Sequence, residues 1–379
     1  MRNKILFIHH SGNLGGAPRS LSYILKSLDR KEYDPYLINI SEGPSNDIFI
    51  DAGVEPIILK GARPFHGSTV AAKTLKLFLR NILFLIPTIL VAYKNIKKIK
   101  PDIVHLNSTC LFAFAIATKI WSKNTPVVCH VREPLREGFW GWAIRFFSKN
   151  FVDGFIAISF FDLSSLNLEA DSKKRTIVIP NFVDQTSKNI GDSGAELRSR
   201  LGIDIDDVVF LFLARFAKGN GVCELIEMAK SVIKDNNKYV FVLAGADPFF
   251  RITDINTDRI KILPFQKQTD ELLAICDVFV CPFTEPHFSR GLIEAAAVGI
   301  PAIGNNIGGV NELIREGVTG FLYNDEKSFI KYVTLLGENS ELRNNMGIEA
   351  TKLAALEFNY YKNLDKTYGF IKSFLKNVN

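Results

Sequence analysis

Short apolar runs alternate with helix-length segments along almost the whole chain. Residues 4–9, 36–40, 55–59, 103–106, 125–130, 154–159 and 176–180 are aliphatic or β-branched, and each predicts a strand. The first run leads through the polar loop SGNLGGAPRS into an amphipathic stretch, LSYILKSL, that predicts a helix. A second series of runs covers 208–214, 239–244, 260–263, 278–282 and 301–304, with helices expected over 222–233 and 271–276. Strands apolar on both faces and spaced by helices predict an α/β chain with mostly parallel sheets. The polar, glycine-bearing segment 184–201 separates the two series and reads as a linker. We therefore expect one domain over 1–184 and a second over 185–355. An aromatic-anchored helical tail over 356–379 is expected to cross back to the first domain. Ligands bind beyond the carboxyl ends of parallel strands, so the two sheets are expected to face each other across a central cleft.

Composition changes this picture little. Across 379 residues, 47% are apolar and 23% charged, a globular balance rather than a disordered one. Five scattered cysteines, with no C-x-x-C pair, suggest a reducing compartment and neither a disulfide framework nor zinc. The opening MRNKILFIHHSG carries too short an apolar run for a signal peptide and is expected to be a buried strand. Charge is more telling. Residues 60–149 hold fifteen Lys or Arg against three Asp or Glu, while the rest of the chain is net acidic. The run 81–93, NILFLIPTILVAY, is too short to span a bilayer and is flanked by lysines. With the aromatic segment 136–149 it reads as an interfacial helix on an anionic membrane, or as a core helix with solvated basic ends. No nucleic-acid-binding motif accompanies the basic charge, so no nucleic-acid partner is expected.

The densest chemistry lies over 285–309, EPHFSRGLIEAAAVGIPAIGNNIGG. Glu294 is expected near the start of a buried helix, where unpaired N–H groups favour negative charge and a carboxylate could hold sugar hydroxyls. A helix cap followed by an ordinary turn is the plainer reading. Gly15 and Gly16 precede a helix without the spacing of a dinucleotide fingerprint, and their amides could approach a phosphate. Arg215, with Lys218 and two glycines behind it, suits a diphosphate. His130 is expected at a strand's carboxyl end beside Arg132 and Glu133, a better chemical position than a core one. His9, Gly245 and Phe265 also follow strands. No G-x-S-x-G elbow supports a hydrolase.

With these residues in view, the chain resembles the retaining GT-B glycosyltransferases of family 4 along its whole length. LFLARF, the PF at 264–265, DVFVCPF, the 285–309 block and the following NELIREGVTGFLY carry the resemblance most specifically, with IPNFVD and GGAPRS in support. The resemblance implies two Rossmann-like domains with parallel sheets facing a central cleft. It implies that the second domain holds a nucleoside-diphosphate sugar, UDP first and GDP or ADP as alternatives, and that the first holds a glycan or lipid-linked acceptor. Arg215 would grip the diphosphate, Glu294 the ribose, Glu285 the donor sugar, and Gly16 the phosphate and sugar. Lys218, Gly15, Gly245, Phe265, Ser289 and Arg290 would complete the donor site. His130 would line the reaction centre, and His9, Arg132 and Glu133 would meet the acceptor. No cofactor or metal is expected, and a cytoplasmic enzyme peripheral on the inner membrane face is. Two positions depart from the pattern: the residue eight before Glu294 is Pro286, and the residue five after Arg215 is Asn220. A GT-B phosphorylase or nucleotide-sugar epimerase, and a non-catalytic glycan- or nucleic-acid-binding protein, are the alternatives.

Overall fold

The computed structural model describes residues 2–69, 74–168, 174–183, 193–246, 257–266 and 269–375. Two compact units divide the chain: Met1–Asn181 with Tyr361–Asn379, and Phe182–Tyr360. Part of the segment read as a linker, 184–192, lies outside the described residues.

In the first unit the strands are β1 (Asn3–His9), β2 (Tyr33–Asn39), β3 (Pro56–Ile58), β4 (Ile103–Leu106), β5 (Val127–Val131), β6 (Gly154–Ala157) and β7 (Arg175–Val178). They form one parallel sheet in the order β3-β2-β1-β4-β5-β6-β7. Strands β4, β5 and β6 are buried at every position, which their unbroken apolar runs require of a sheet covered on both faces. The second unit has β8 (Val208–Leu213), β9 (Tyr239–Ala246), β10 (Ile260–Pro264), β11 (Val278–Cys281), β12 (Ala302–Asn305) and β13 (Gly320–Tyr323), parallel in the order β10-β9-β8-β11-β12-β13. This is the doubly wound order, and the first sheet is the same order with one strand added. Its direction of winding reverses between β1 and β4 in one unit and between β8 and β11 in the other. Crevices open beyond the carboxyl ends of strands at such points.

Two features differ from the sequence reading. The apolar run 81–93 is not one helix: the chain breaks at Phe84 between the helices Leu75–Leu83 and Leu85–Ile99. Pro87 sits in the first turn of the second helix, where proline fits best, so the break falls ahead of it. No single helix among the described residues is long and apolar enough to cross a membrane; these two meet the test only as a pair bent by 43°. Strand β13 was not expected, because its four residues begin with a glycine and alternate little. The last helix, Tyr360–Leu375, is fixed within the first unit by Arg175, whose guanidinium lies 3.3 Å from the Phe374 ring centre, and by a 2.7 Å Lys372–Glu32 pair.

Candidate functional site

In the second unit, the loops after β8, β9 and β11 meet at the sheet's carboxyl edge. Thr284 and Glu285 both donate their backbone N–H to the Gly219 carbonyl, at 3.0 and 3.1 Å, and the Thr284 hydroxyl donates to the Lys218 carbonyl at 3.0 Å. A Cβ on Gly219 would stand 3.0 Å from Glu285 Cγ, so a glycine lets the two loops close. The Asn220 amide donates to the Arg215 carbonyl at 2.6 Å. The residue at the position expected for a lysine therefore fastens the loop, while Arg215 and Lys218 project into solvent. Gly245 has φ 131°, and a Cβ there would stand 2.0 Å from the Ala214 carbonyl oxygen; only glycine allows this crossing of strand ends. Phe265 follows β10 and is about half exposed.

Glu294 is the fifth residue of the helix Arg290–Ala297 and lies beyond the free N–H groups of the first turn. The expected helix-terminus effect therefore does not act on it. Its carboxylate instead accepts from Arg290 Nε at 3.0 Å and from the Thr269 hydroxyl at 3.4 Å, in a half-enclosed setting. Ser289 is the helix cap: its buried hydroxyl accepts from the Leu292 N–H at 3.3 Å. Arg290 also donates to the Phe182 carbonyl at 3.2 Å. Between Glu285 and this helix, His287 stacks on Phe283 at 4.0 Å and bonds the Glu285 carbonyl at 2.7 Å, which holds the irregular 285–289 segment in place.

In the first unit, polar residues gather beyond β1, β4 and β5. Asn107 is the hub. Its Oδ1 accepts from Arg132 Nε at 2.8 Å, because arginine can only donate; its Nδ2 therefore faces His9 Nδ1 at 2.9 Å and the Ala17 carbonyl at 3.1 Å. Arg132 also donates to Asn181 Oδ1 at 3.1 Å, which takes the Ser20 hydroxyl at 3.0 Å. His9 and Arg132 are buried within this network, which ties the helix Gly16–Ser27 to the sheet. Gly15 caps that helix with open space beside it, and Gly16 begins it.

His130 is the penultimate residue of β5 and is buried, with its Nδ1 2.7 Å from His105 Nε2. One nitrogen of that pair must carry the shared proton. Burial and the nearby Arg132 charge hold both rings neutral, pushing His105 down to about 3 and His130 well below the ordinary histidine value. His130 is thus a neutral hydrogen-bonding group rather than a cation. Glu133 turns into a cavity of about 360 Å³ with His10, His66, Ser108 and Arg80. The sequence reading missed His10, His66, Arg80, Asn107 and Asn181. The pair of histidines at the end of β1 and just beyond it was the one local signal available.

Among the described residues, no group of three or more His, Cys, Asp or Glu is placed to hold a metal ion. The chain does contain an Asp-x-Asp spacing, Asp204 and Asp206. It lies in the turn that enters β8, at the opposite end of that strand from Arg215.

Residues 194–353 match the family described as glycosyl transferases group 1, and residues 14–187 match glycosyltransferase family 4. An Escherichia coli UDP-Gal:alpha-D-GlcNAc-diphosphoundecaprenol alpha-1,3-galactosyltransferase is 26% identical over 390 residues, covering 96% of this chain and 95% of that protein. The N-acetyl-alpha-D-glucosaminyl L-malate synthase of Bacillus anthracis is 25% identical over 185 residues, 47% of this chain and 48% of its own. The crystal structure of Anabaena Alr3699/HepE in complex with UDP-glucose superposes with a TM-score of 0.80 at 21% identity, over 98% of this chain and 99% of that one. Sucrose-phosphate synthase from Thermosynechococcus elongatus gives 0.76 at 14% identity, over 99% and 100%. The shared fold is GT-B, with two Rossmann-like parallel-sheet domains.

Proposed function

The chain belongs to the group 1, family 4 glycosyltransferases, and from that membership we propose that it transfers a hexosyl or N-acetylhexosaminyl unit with retention of anomeric configuration. The donor is a nucleoside-diphosphate sugar and the acceptor a hydroxyl of a glycan or lipid-linked glycan intermediate in bacterial polysaccharide synthesis. The observation that carries the donor half is the meeting of the loops bearing Arg215, Lys218 and Glu285 at the switch point of the second sheet. Arg215 and Lys218 stabilise the leaving diphosphate as the anomeric bond breaks, with no metal required of them. Glu294 accepts hydrogen bonds from the ribose, and Glu285 orients a sugar that gains oxocarbenium character. In the first domain His130, neutral and fixed by His105, donates or accepts a hydrogen bond at the acceptor or donor sugar. Ser289, His9 and Arg132 support these groups by position: the Ser289 hydroxyl serves the helix cap, and His9 Nδ1 and Arg132 Nε serve the Asn107 network. The UDP-sugar named for the Escherichia coli relative and the UDP-glucose bound by the Anabaena protein favour UDP as the carrier.

We also place the enzyme in the cytoplasm, resting on the inner membrane face. Leu75, Leu79, Leu83, Ile86 and Leu90 project outward from the broken helix pair, and Phe139, Trp142 and Phe146 stack in the open on the helix Phe139–Phe151. Trp140 and Phe147, expected in the same patch, pack inward instead; Phe147 lies flat on Phe112 at 5.0 Å. The deciding experiment is a screen of UDP-, GDP- and ADP-sugars with a panel of lipid-linked and free glycans, reading nucleoside diphosphate release. Release that depends on an acceptor, with an α-configured product from an α-configured donor, is the expected result. Release of sugar 1-phosphate on adding inorganic phosphate would make the enzyme a phosphorylase.

A further inference from the structure

The first unit's cavity is not accounted for by donor binding. It lies beyond the ends of β1, β4 and β5, walled by His10, Ser108 and Glu133, with His66 beside them and Arg80 and Leu77 reaching in from the helix Leu75–Leu83. Two of its polar atoms, His10 Nδ1 and Arg80 Nε, are shut off from solvent without a hydrogen-bond partner. A guanidinium N–H can only donate, so an enclosed and unsatisfied one marks the place of an acceptor oxygen. The helix that carries Arg80 is anchored for this purpose. Asn81 donates to the His66 carbonyl at 2.8 Å and accepts from the His66 N–H at 3.3 Å, which fixes the inward face. Its outward face carries Leu75, Leu79 and Leu83, each half exposed or more. The helix Phe139–Phe151 repeats the arrangement: Ile144 lines the cavity while Trp142 and Phe146 face solvent. A polar chamber thus sits beneath two helices with apolar outer surfaces, a shape suited to an amphiphile with a charged head.

Resting on the glycosyltransferase reading, we propose that this cavity binds the phosphoryl group of a lipid-phosphate-linked acceptor, with Arg80 as its charge partner and His10 as a neutral hydrogen-bond donor. Glu133 is the one group that would oppose an anion. Burial raises its carboxyl above the ordinary value, against a hydrogen bond from Ser68 that lowers it, and in its neutral form it donates to the same oxygens. The lipid would lie against the exposed leucines and aromatics, and the sugar it carries would reach toward His130.

Calorimetry on the full-length protein in non-ionic detergent tests this with farnesyl phosphate, farnesol and inorganic phosphate, alongside a separate titration of UDP, GDP and ADP. Farnesyl phosphate should bind, and Arg80→Gln should weaken it by roughly tenfold to a hundredfold, the value of a charge-assisted hydrogen bond. Leu77→Trp should fill the cavity and block farnesyl phosphate, with nucleotide affinity intact in both variants. Equal binding of farnesol and farnesyl phosphate, or unchanged affinity in Arg80→Gln and Leu77→Trp, overturns the proposal. Inorganic phosphate bound as tightly as farnesyl phosphate overturns the lipid part and leaves an anion site. Arg80-dependent binding of farnesyl phosphate without binding of any nucleotide keeps the cavity site and removes the donor reading instead.

Discussion

Replacing Glu294 by Gln separates a donor-binding carboxylate from a structural ion pair. The swap keeps the shape and an oxygen for Arg290 Nε, now 3.0 Å away, and Arg290 retains the Phe182 carbonyl at 3.2 Å. The order Arg then Glu at i, i+4 is the weaker one on a helix, so the pair's value comes from its enclosure, with side chains only 13% and 14% exposed. Losing the charge there should cost about 1–2 kcal/mol, well short of the roughly 3–5 kcal/mol for stranding a fully buried partner. The melting temperature of the second unit should fall by roughly 2–8 °C. If the carboxylate also accepts from a ribose diol, the neutral amide should lose about 2 kcal/mol of nucleotide affinity, close to thirtyfold. Calorimetry with UDP, GDP and ADP, run with thermal melts, reads both effects. Arg290→Gln is the control, because it breaks the ion pair but leaves the carboxylate, and its nucleotide affinity should fall less. A Glu294→Gln protein that melts lower yet binds nucleotide within threefold of the parent would refute the ribose role.

Arg215→Ala and Lys218→Ala should each weaken nucleoside diphosphate binding, and more at low than at high salt, since both side chains are exposed; equal affinity in either variant removes that residue from the site. Gly219→Ala should lower turnover while the melting temperature moves little, because its Cβ would push on the Glu285 side chain rather than on backbone; unchanged turnover would show that the position of Glu285 is unimportant. Acid should destabilise the first unit before the second. His9, His10, His66, His105 and His130 all titrate below their unfolded value, so the unfolded chain binds more protons and stability falls as pH drops below about 6.5. The loss should continue to pH near 4, where His10 begins to charge in the fold, and a flat melting temperature between pH 6.5 and 5 would count against the neutral cluster. Sedimentation with anionic liposomes should retain the protein at low salt and release it at high salt, and Leu79→Asp with Leu83→Asp should abolish retention; equal recovery with neutral vesicles would leave these faces without a membrane role.

The fold was legible because buried parallel strands write themselves as unbroken apolar runs; the run 103–106 begins and ends where β4 does. Where a strand is short and half exposed, as in β13, that signal fails. The residues after strands were legible for a related reason: the doubly wound order forces β1, β4 and β5, and β8 and β11, to present their ends together. What remained hidden were partners rather than positions. Asn107 and Asn181 look like loop residues and His105 like a core histidine, and no local pattern says that the first two share Arg132 or that the third fixes His130. The same holds for Asn220, whose side chain took over loop closure while Lys218 kept the charge.

Role and residue type also come apart at several positions, and physics shows why. A serine ahead of a helix is first a cap, so Ser289 is engaged before any ligand arrives. A carboxylate in the middle of a helix gains nothing from its terminus, so Glu294 takes its hydrogen bonds from Arg290 and Thr269 instead. Arginine inside a cavity is not satisfied in this way when the walls are neutral histidines, hydroxyls and a carboxyl, Glu133, that burial pushes toward its neutral form. Arg80 is in that position, with its Nε enclosed and its helix pinned through Asn81 to His66 on the cavity side. Of the residues lining the described cavity Arg80 is the one arginine, and an enclosed N–H without an acceptor carries a desolvation cost that nothing there returns. Arg80 as a whole is only partly buried, which the resting state tolerates, and an entering oxyanion supplies the acceptor that its enclosed Nε lacks.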